Sequence, residues 1–415
     1  MVYLMESPAW LDKTYAALLE EKIARFMTEA KMISSPRDLA SSRFLSRSVL
    51  PHVERLTGSF NRKESSQDGG IKPYWGTGSN SANLRMSYFL YYMPSNMARM
   101  TGVWHELWRL GYKWRGGEEL RAVDFGSGPA TAAIAIATAE ANGSSIDLPR
   151  DGSWALIERD GKMLDIGSAW ATTDAHSFPW TIKTFRREIN ATGPLLPRGA
   201  PKFNLWTMCY MLNESDAPVR DIARALADAW ERHLDDEGLC VIVEPALKLQ
   251  SRKLLSLRAE LLKLEKPWLK VLLPCLGHQD CGALADRDGE DWCHEEISWW
   301  RPPYMAKLDT LAGLDHKSLP FSYLVIAKSA RTLTDILPEL GGDSSGETIR
   351  LVSPVHFPTS NNPDAEFFSC SARGKLRCRL KCDRETCREL GRGAIIKNAL
   401  LRGDANCTRV ETGDG

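Results

Sequence analysis

The chain has 415 residues, with 53 Lys plus Arg against 53 Asp plus Glu. That length allows two or three domains and a large core, and the zero net charge excludes a whole-protein electrostatic pull toward nucleic acid, so any basic surface must be local. No run of 18 apolar residues is present and the opening segment MVYLMESPAWLDK has no apolar signal core, so neither a membrane span nor secretion is expected, and the ten cysteines are expected in a reducing cytoplasm.

In residues 10–32, Leu11, Tyr15, Leu18, Leu19, Ile23, Phe26 and Met27 recur at helical spacing. Residues 81–113 also read as helix, with Pro94 expected to kink or split the run. Residues 1–115 are therefore expected to form a helical N-terminal region. The Gly/Ser/Asn-rich stretches 59–83 and 341–347 read as loops.

From residue 116 to 335 the pattern alternates. Strands are predicted at Arg121–Phe125, Trp154–Glu158, Trp180–Phe185, Phe203–Cys209, Leu239–Glu244, Trp268–Leu273 and Phe321–Lys328. Helical stretches are expected to separate the first five, among them 129–141, 216–234 with Ser215 as N-cap, and 248–264. This is an α/β, doubly wound sheet of seven strands whose last two form a hairpin. Beyond residue 335, short alternating runs such as Lys375–Lys381 predict a small β-rich C-terminal domain over 336–415. It is basic: between Arg373 and Arg402 there are ten Lys/Arg against three Asp/Glu.

The segment Asp124-Phe125-Gly126-Ser127-Gly128-Pro129-Ala130 reads as strand, tight turn and helix start. Its glycines let the backbone turn sharply beside a ligand. Glu158, ending the next strand, can accept hydrogen bonds from ribose hydroxyls. Strand, loop, apolar helix and acid together predict a class I S-adenosylmethionine (SAM) methyltransferase, a Rossmann-like fold. Asp124, Gly126, Ser127, Gly128 and Glu158 are the candidate cofactor residues. No (Asn/Asp)-Pro-Pro-aromatic motif follows the strand 203–209, so catalytic residues are not assigned, and Cys209 reads as a buried apolar filler.

Within an insert at 274–303, Cys275, Cys281 and Cys293 follow a C-x5-C-x11-C spacing, with His278 and His294 interleaved. Three thiolates among Gly, Asp, His and Gln predict a metal centre, either zinc or iron–sulfur, that needs a fourth ligand. The candidates are His278, His294, Cys370, Cys378, Cys382 and Cys387. A ligand from the C-terminal part would tie it to the core and close a long loop.

Together, VDFGSGPAT, LIE, the strand leading into MLNE, VIVEPALK, PCLGHQDC, DWCHEE and FSYLVIAK resemble the methyltransferase-like assembly factors of the small ribosomal subunit, a family with mitochondrial and bacterial members. The resemblance runs from about Tyr88 to Lys328 and more weakly to Asp404. It implies a methyltransferase fold that binds the small subunit and its rRNA, and a [4Fe–4S] cluster. Cys275, Cys281 and Cys293 match the clustered ligands, and Cys382, in LKCDRE, best matches the fourth. Asp124, Gly126, Gly128 and Glu158 match the SAM-site positions. The gap from Cys281 to Cys293 is longer than in mitochondrial members, and Gly282 stands where a Pro often follows. A bacterial, cytoplasmic member is expected. The alternative is an active SAM-dependent methyltransferase acting on RNA or protein.

Overall fold

A computed structural model describes residues 2–3, 8–61, 79–173, 178–277, 280–286, 288–341, 346–358, 364–381, 387, 390–404 and 407–412. The strands in chain order are β1 (Val2–Tyr3), β2 (Leu120–Phe125), β3 (Gly152–Glu158), β4 (Thr181–Arg186), β5 (Phe203–Cys209), β6 (Leu234–Pro245), β7 (Leu269–Leu273), β8 (Glu295–Ser298), β9 (Ser318–Lys328), β10 (Glu347–Leu351), β11 (Asp364–Ser371), β12 (Gly374–Lys381), β13 (Ile395–Asp404) and β14 (Cys407–Thr412).

The larger sheet runs β4-β3-β2-β5-β6-β9-β7, with β8 added on β9. Strands β2 to β6 are parallel, while β9 is antiparallel to both β6 and β7. Counted from β2 along this path and leaving out β8, the order is 3-2-1-4-5-7-6 with an antiparallel seventh strand. That is the class I SAM-methyltransferase sheet, which identifies the fold independently of any ligand. The central strands are buried on both faces, which is why VDF, LIE and VIVE read as unbroken apolar runs rather than alternating ones. The helix Thr131–Ala141 is buried along nearly its whole length, as its Ala/Ile composition requires. At Gly167 a Cβ would lie 2.7 Å from the Pro129 carbonyl carbon, so only glycine lets the helix Gly161–Ala171 rest against the loop before Ala130.

Several expectations are corrected. Residues 79–109 form one continuous helix rather than a split one, although Pro94 lies inside it. Pro94 has no N–H to give the Leu90 carbonyl, and the Tyr304 hydroxyl donates to that oxygen instead, at 2.7 Å. Ser95 Oγ adds bonds to the Tyr91 and Tyr92 carbonyls. The β4–β5 connection, residues 187–202, is irregular rather than helical. The helix expected at 216 begins at Val219 after Pro218, and Ser215 does not cap it. Strand β8 was not foreseen, because four residues within a polar insert carry too little periodicity to stand out.

The smaller sheet runs β1-β13-β10-β11-β12-β14, and β14 pairs again with β13. Strands β10 to β14 therefore close into a five-stranded barrel, with a bulge in β10 between Glu347 and Ile349. Its core is Ile349, Leu351, Phe367, Leu376, Leu380, Ile396 and their neighbours. Among the described residues no helix is long and apolar enough to cross a membrane.

Candidate functional site

The strand-to-helix turn after β2 is built from left-handed residues: Gly126 has φ +67°, Gly128 +52° and Ala130 +60°. A Cβ at Gly126 would sit 2.8 Å from Met211 Cγ. Asp124 is buried at the end of β2, where its Oδ1 accepts from Thr207 at 2.8 Å. Its Oδ2 and the Ser127 Oγ are buried with no partner. Burial raises the Asp124 carboxyl to about 7, against the bond from Thr207, and nearby Glu158 adds to the rise. Glu158 accepts from Gly128 N at 3.1 Å and from Asp160 N at 2.9 Å, so it braces the loop it was expected to complement.

Gly126, Gly128 and Glu158 open on a cavity of about 1160 Å³ that Cys209, Tyr210, Met211 and Asn213 also line, while Asp124 and Ser127 are buried behind the loop. Cys209 thus packs beside the core and also faces the cavity. Sequence reading missed the opposite wall. Tyr88, Tyr91, Tyr92, Ser95, Asn96 and Arg99 all line the cavity from the helix Ser79–Arg109. The signal was present: aromatic and polar residues recur there at i, i+3, i+4 within an otherwise apolar helix. Arg99 lies 5.7 Å from the Tyr210 ring centroid and donates to Asn96 Oδ1 and the Pro320 carbonyl. Tyr210 itself has φ +59°, and its N–H donates to the Val243 carbonyl at 2.7 Å. Glu244, at the end of β6, pins the following turn by accepting from Leu212 N and Asn213 N.

Trp292 and His294 also line this cavity, and Cys293 lies between them in sequence. Cys293 is one of four thiols within electrostatic reach of one another. Burial pushes its thiol up, and Glu295, Cys370, Cys275 and Cys281 push it further. Burial, Cys275 and Cys281 raise Cys370 to about 12, with Lys375 opposing. Geometry explains why Cys370 is there. It pairs with Lys375 across β11 and β12, and Lys375 bonds Asp291 of the insert. A Cβ on Gly282 would meet Lys375 Cβ at 2.4 Å, so the insert rests directly on this hairpin. Gly282 is thus the contact residue.

Cys275, Cys281, Cys293 and Cys370 thus lie within electrostatic reach of one another. Cys382 and His278 lie outside the described residues, Cys378 is buried in the barrel core, and Cys387 is disulfide-bonded. Among the described residues no group of three or more His, Cys, Asp or Glu is arranged to hold a metal ion.

The family described as Mitochondrial small ribosomal subunit Rsm22 matches residues 83–358, more than half of the chain. No curated protein matches. Among solved structures, the chain is similar to magnesium protoporphyrin IX methyltransferase (ChlM) from Synechocystis PCC 6803 with bound SAM, at 10% identity and a TM-score of 0.32, covering 66% of this chain and 97% of that one. It is also similar to the O-methyltransferase TomG from Streptomyces achromogenes in complex with SAM, at 12% identity and a TM-score of 0.30, covering 69% and 94%. TrmN from Thermus thermophilus matches at 15% identity and a TM-score of 0.29, covering 57% and 52%. Scores this low carry no argument, and the fold rests on the strand order of the larger sheet.

Proposed function

The chain belongs to the family described as Mitochondrial small ribosomal subunit Rsm22, and from that premise we propose that it is an assembly or translation factor that associates with the small ribosomal subunit and its rRNA, with a SAM pocket at the glycine loop and an iron–sulfur centre on four cysteines. The observation that carries the reading is the meeting of Cys370, from the barrel, with Cys275, Cys281 and Cys293 beside a methyltransferase cavity.

The residues present fit SAM. The unpartnered Asp124 Oδ2 and Ser127 Oγ are buried polar atoms that call for a ligand or water. Asp124, buried behind the loop, would reach the ligand's ammonium through a water. Glu158 would accept from the ribose with the lone pairs left over from Gly128 and Asp160. When bound, SAM supplies an electrophilic methyl on a sulfonium. The chain's own part is to orient it and to keep water out.

Zinc and an iron–sulfur cluster would hold the four cysteines at different separations. Tetrahedral zinc draws its thiolates to roughly 3.8 Å from one another, given Zn–S bonds of about 2.3 Å. A cubane stands between its ligands and holds them further apart. The preference for iron–sulfur therefore rests on the family resemblance, and metal and sulfide analysis decides between the two.

Calorimetric titration with SAM tests the pocket. Gly126→Asp is expected to abolish binding, because its Cβ meets Met211 in a left-handed turn. Glu158→Ala is expected to weaken it by about 1–3 kcal/mol. Affinity should rise as pH passes upward through about 7, because a cationic ligand favours ionised Asp124. Unchanged affinity in both variants removes the pocket assignment.

The size of the cavity favours a second reading, an active methyltransferase. The cavity continues past the glycine loop to Tyr88, Tyr91 and Trp292, leaving room for an acceptor. Catalysis there would need little beyond alignment of methyl and nucleophile. Methyl transfer to purified RNA or protein that is lost in Gly126→Asp is the result that would support it.

A further inference from the structure

The barrel has more to do than supply Cys370. Numbered from β10, its strands close in the order 1-2-3-5-4-1, and the third and fifth, β12 and β14, are parallel. That is the connectivity of the OB fold, whose second and third strands present the face that takes oligonucleotides or oligosaccharides.

The corresponding face here is the outer side of the β11–β12 hairpin. Alternation puts Ala365, Phe367, Leu376, Cys378 and Leu380 inside the barrel. On the outer side the register pairs Phe368 with Arg377, Glu366 with Arg379 and Asp364 with Lys381. Phe368 is 43% exposed, a large aromatic ring standing in water on a strand. Lys375 Nζ lies 4.9 Å from its centroid. The row then continues across the barrel, because Arg379 pairs with Arg409 and Arg409 with Arg402. All three arginines are exposed.

Like charges set directly opposite one another across strands cost stability. The four carboxylates on this face, Asp364, Glu366, Asp404 and Glu411, are outnumbered by Arg377, Arg379, Lys381, Arg402 and Arg409, and Arg402 donates to Glu411 at 3.0 Å. Glu366 is held below the usual carboxylate range by its bond from Arg377, against burial, and it also accepts from Arg379. Three arginines in a row beside an exposed phenyl ring match alternating phosphates and bases.

We propose that this face binds single-stranded RNA, with a base stacked on Phe368 and phosphates on Arg377, Arg379, Arg409 and Arg402. The commitment to RNA rests on the small-subunit reading; the commitment to a single strand does not. A duplex hides its base faces, so an exposed ring can be used only by an unpaired base.

The test is fluorescence anisotropy of the full-length protein with a labelled single-stranded 12-mer of uridine, and with an RNA hairpin of equal length. The single strand is expected to bind more tightly. Phe368→Ala is expected to weaken it about 5- to 150-fold, corresponding to roughly 1–3 kcal/mol per stacked base, while the salt dependence stays the same. Phe368→Trp should restore affinity, which separates stacking from damage to the fold. Replacing Arg379 and Arg409 by Gln should weaken binding and flatten the salt slope by about 0.7 for each phosphate no longer neutralised. Unchanged affinity in Phe368→Ala, or a hairpin bound as tightly as the single strand, overturns the proposal. If the protein binds the 12-mer through Phe368 but does not co-sediment with small subunits, this inference stands and the small-subunit function falls.

Discussion

Replacing Arg350 by Met is expected to destabilise the protein by about 3–5 kcal/mol, the range for removing one member of a buried ion pair. Arg350 lies on β10 of the barrel, yet its guanidinium points into the methyltransferase half. Nη1 donates to Glu106 of the long helix at 2.8 Å, Nε to Glu295 of β8 at 3.1 Å, and Nη2 to the Tyr323 hydroxyl of β9 at 3.2 Å. The Arg350 side chain is 2% exposed, and those of both glutamates 1%. Burial alone would raise the Glu106 carboxyl, but Arg350 and Arg109 more than offset it and hold the group below its usual range. Glu295, less well compensated, is raised by burial.

Removing the arginine would leave two carboxylates in a low-dielectric interface with only Arg109 nearby to compensate Glu106. Urea denaturation measures the cost. The double variant Arg350→Met with Glu106→Gln should recover part of it, because the second change removes a stranded charge. A loss below about 1 kcal/mol would mean that the Arg350 network contributes little to holding the two halves together.

The second large effect concerns the four cysteines. Cys275→Ser, Cys281→Ser, Cys293→Ser and Cys370→Ser are each expected to lose the proposed metal centre. The apoprotein should also be less stable, because the barrel and the insert would no longer share a ligand set. Cys382→Ser is expected to keep the centre. Iron, zinc and acid-labile sulfide, measured after anaerobic purification, read this out together with absorbance near 400 nm, a wavelength expected roughly from thiolate-to-iron charge transfer. Stoichiometric zinc without sulfide would replace the cluster by a single ion. A centre retained in Cys370→Ser and lost in Cys382→Ser would return the fourth ligand to the residue that the family resemblance favours.

Cys370, one of six candidates for a fourth ligand, marks where sequence reading stops, while Cys382 lies outside the described residues. The glycine loop was legible because its chemistry is local: a strand, two left-handed glycines and an apolar helix lie within about twenty residues of one another. The sheet was legible for a similar reason, since strands buried on both faces write their burial as apolar runs. The place of Cys370 beside the insert depends instead on strand register. Cys370 reaches the insert because it pairs with Lys375, and Lys375 meets Asp291, more than eighty residues away in sequence. No local pattern encodes that contact. Closure of the barrel depends in the same way on the parallel pairing of β12 with β14. The tyrosine wall of the cavity was written in the sequence at helical spacing. Which element that face would meet depended on how the long helix docks, and spacing is silent on that. Nothing local in the sequence sets Arg350 apart, and its burial against Glu106 and Glu295 distinguishes it from the exposed arginines of β12.

The most direct test of the central claim is sedimentation of lysate from cells expressing the tagged chain, on density gradients at two salt concentrations. The protein is expected to migrate with small-subunit particles at the lower salt and to be partly released at the higher, because phosphate contacts give up their counterions. Gly126→Asp is expected to migrate as the parent does, since the glycine loop and the arginine face of the barrel lie on different elements. A parent protein that stays at the top of both gradients, while methyl transfer to a purified acceptor depends on Gly126, would contradict the account and leave an enzyme in its place.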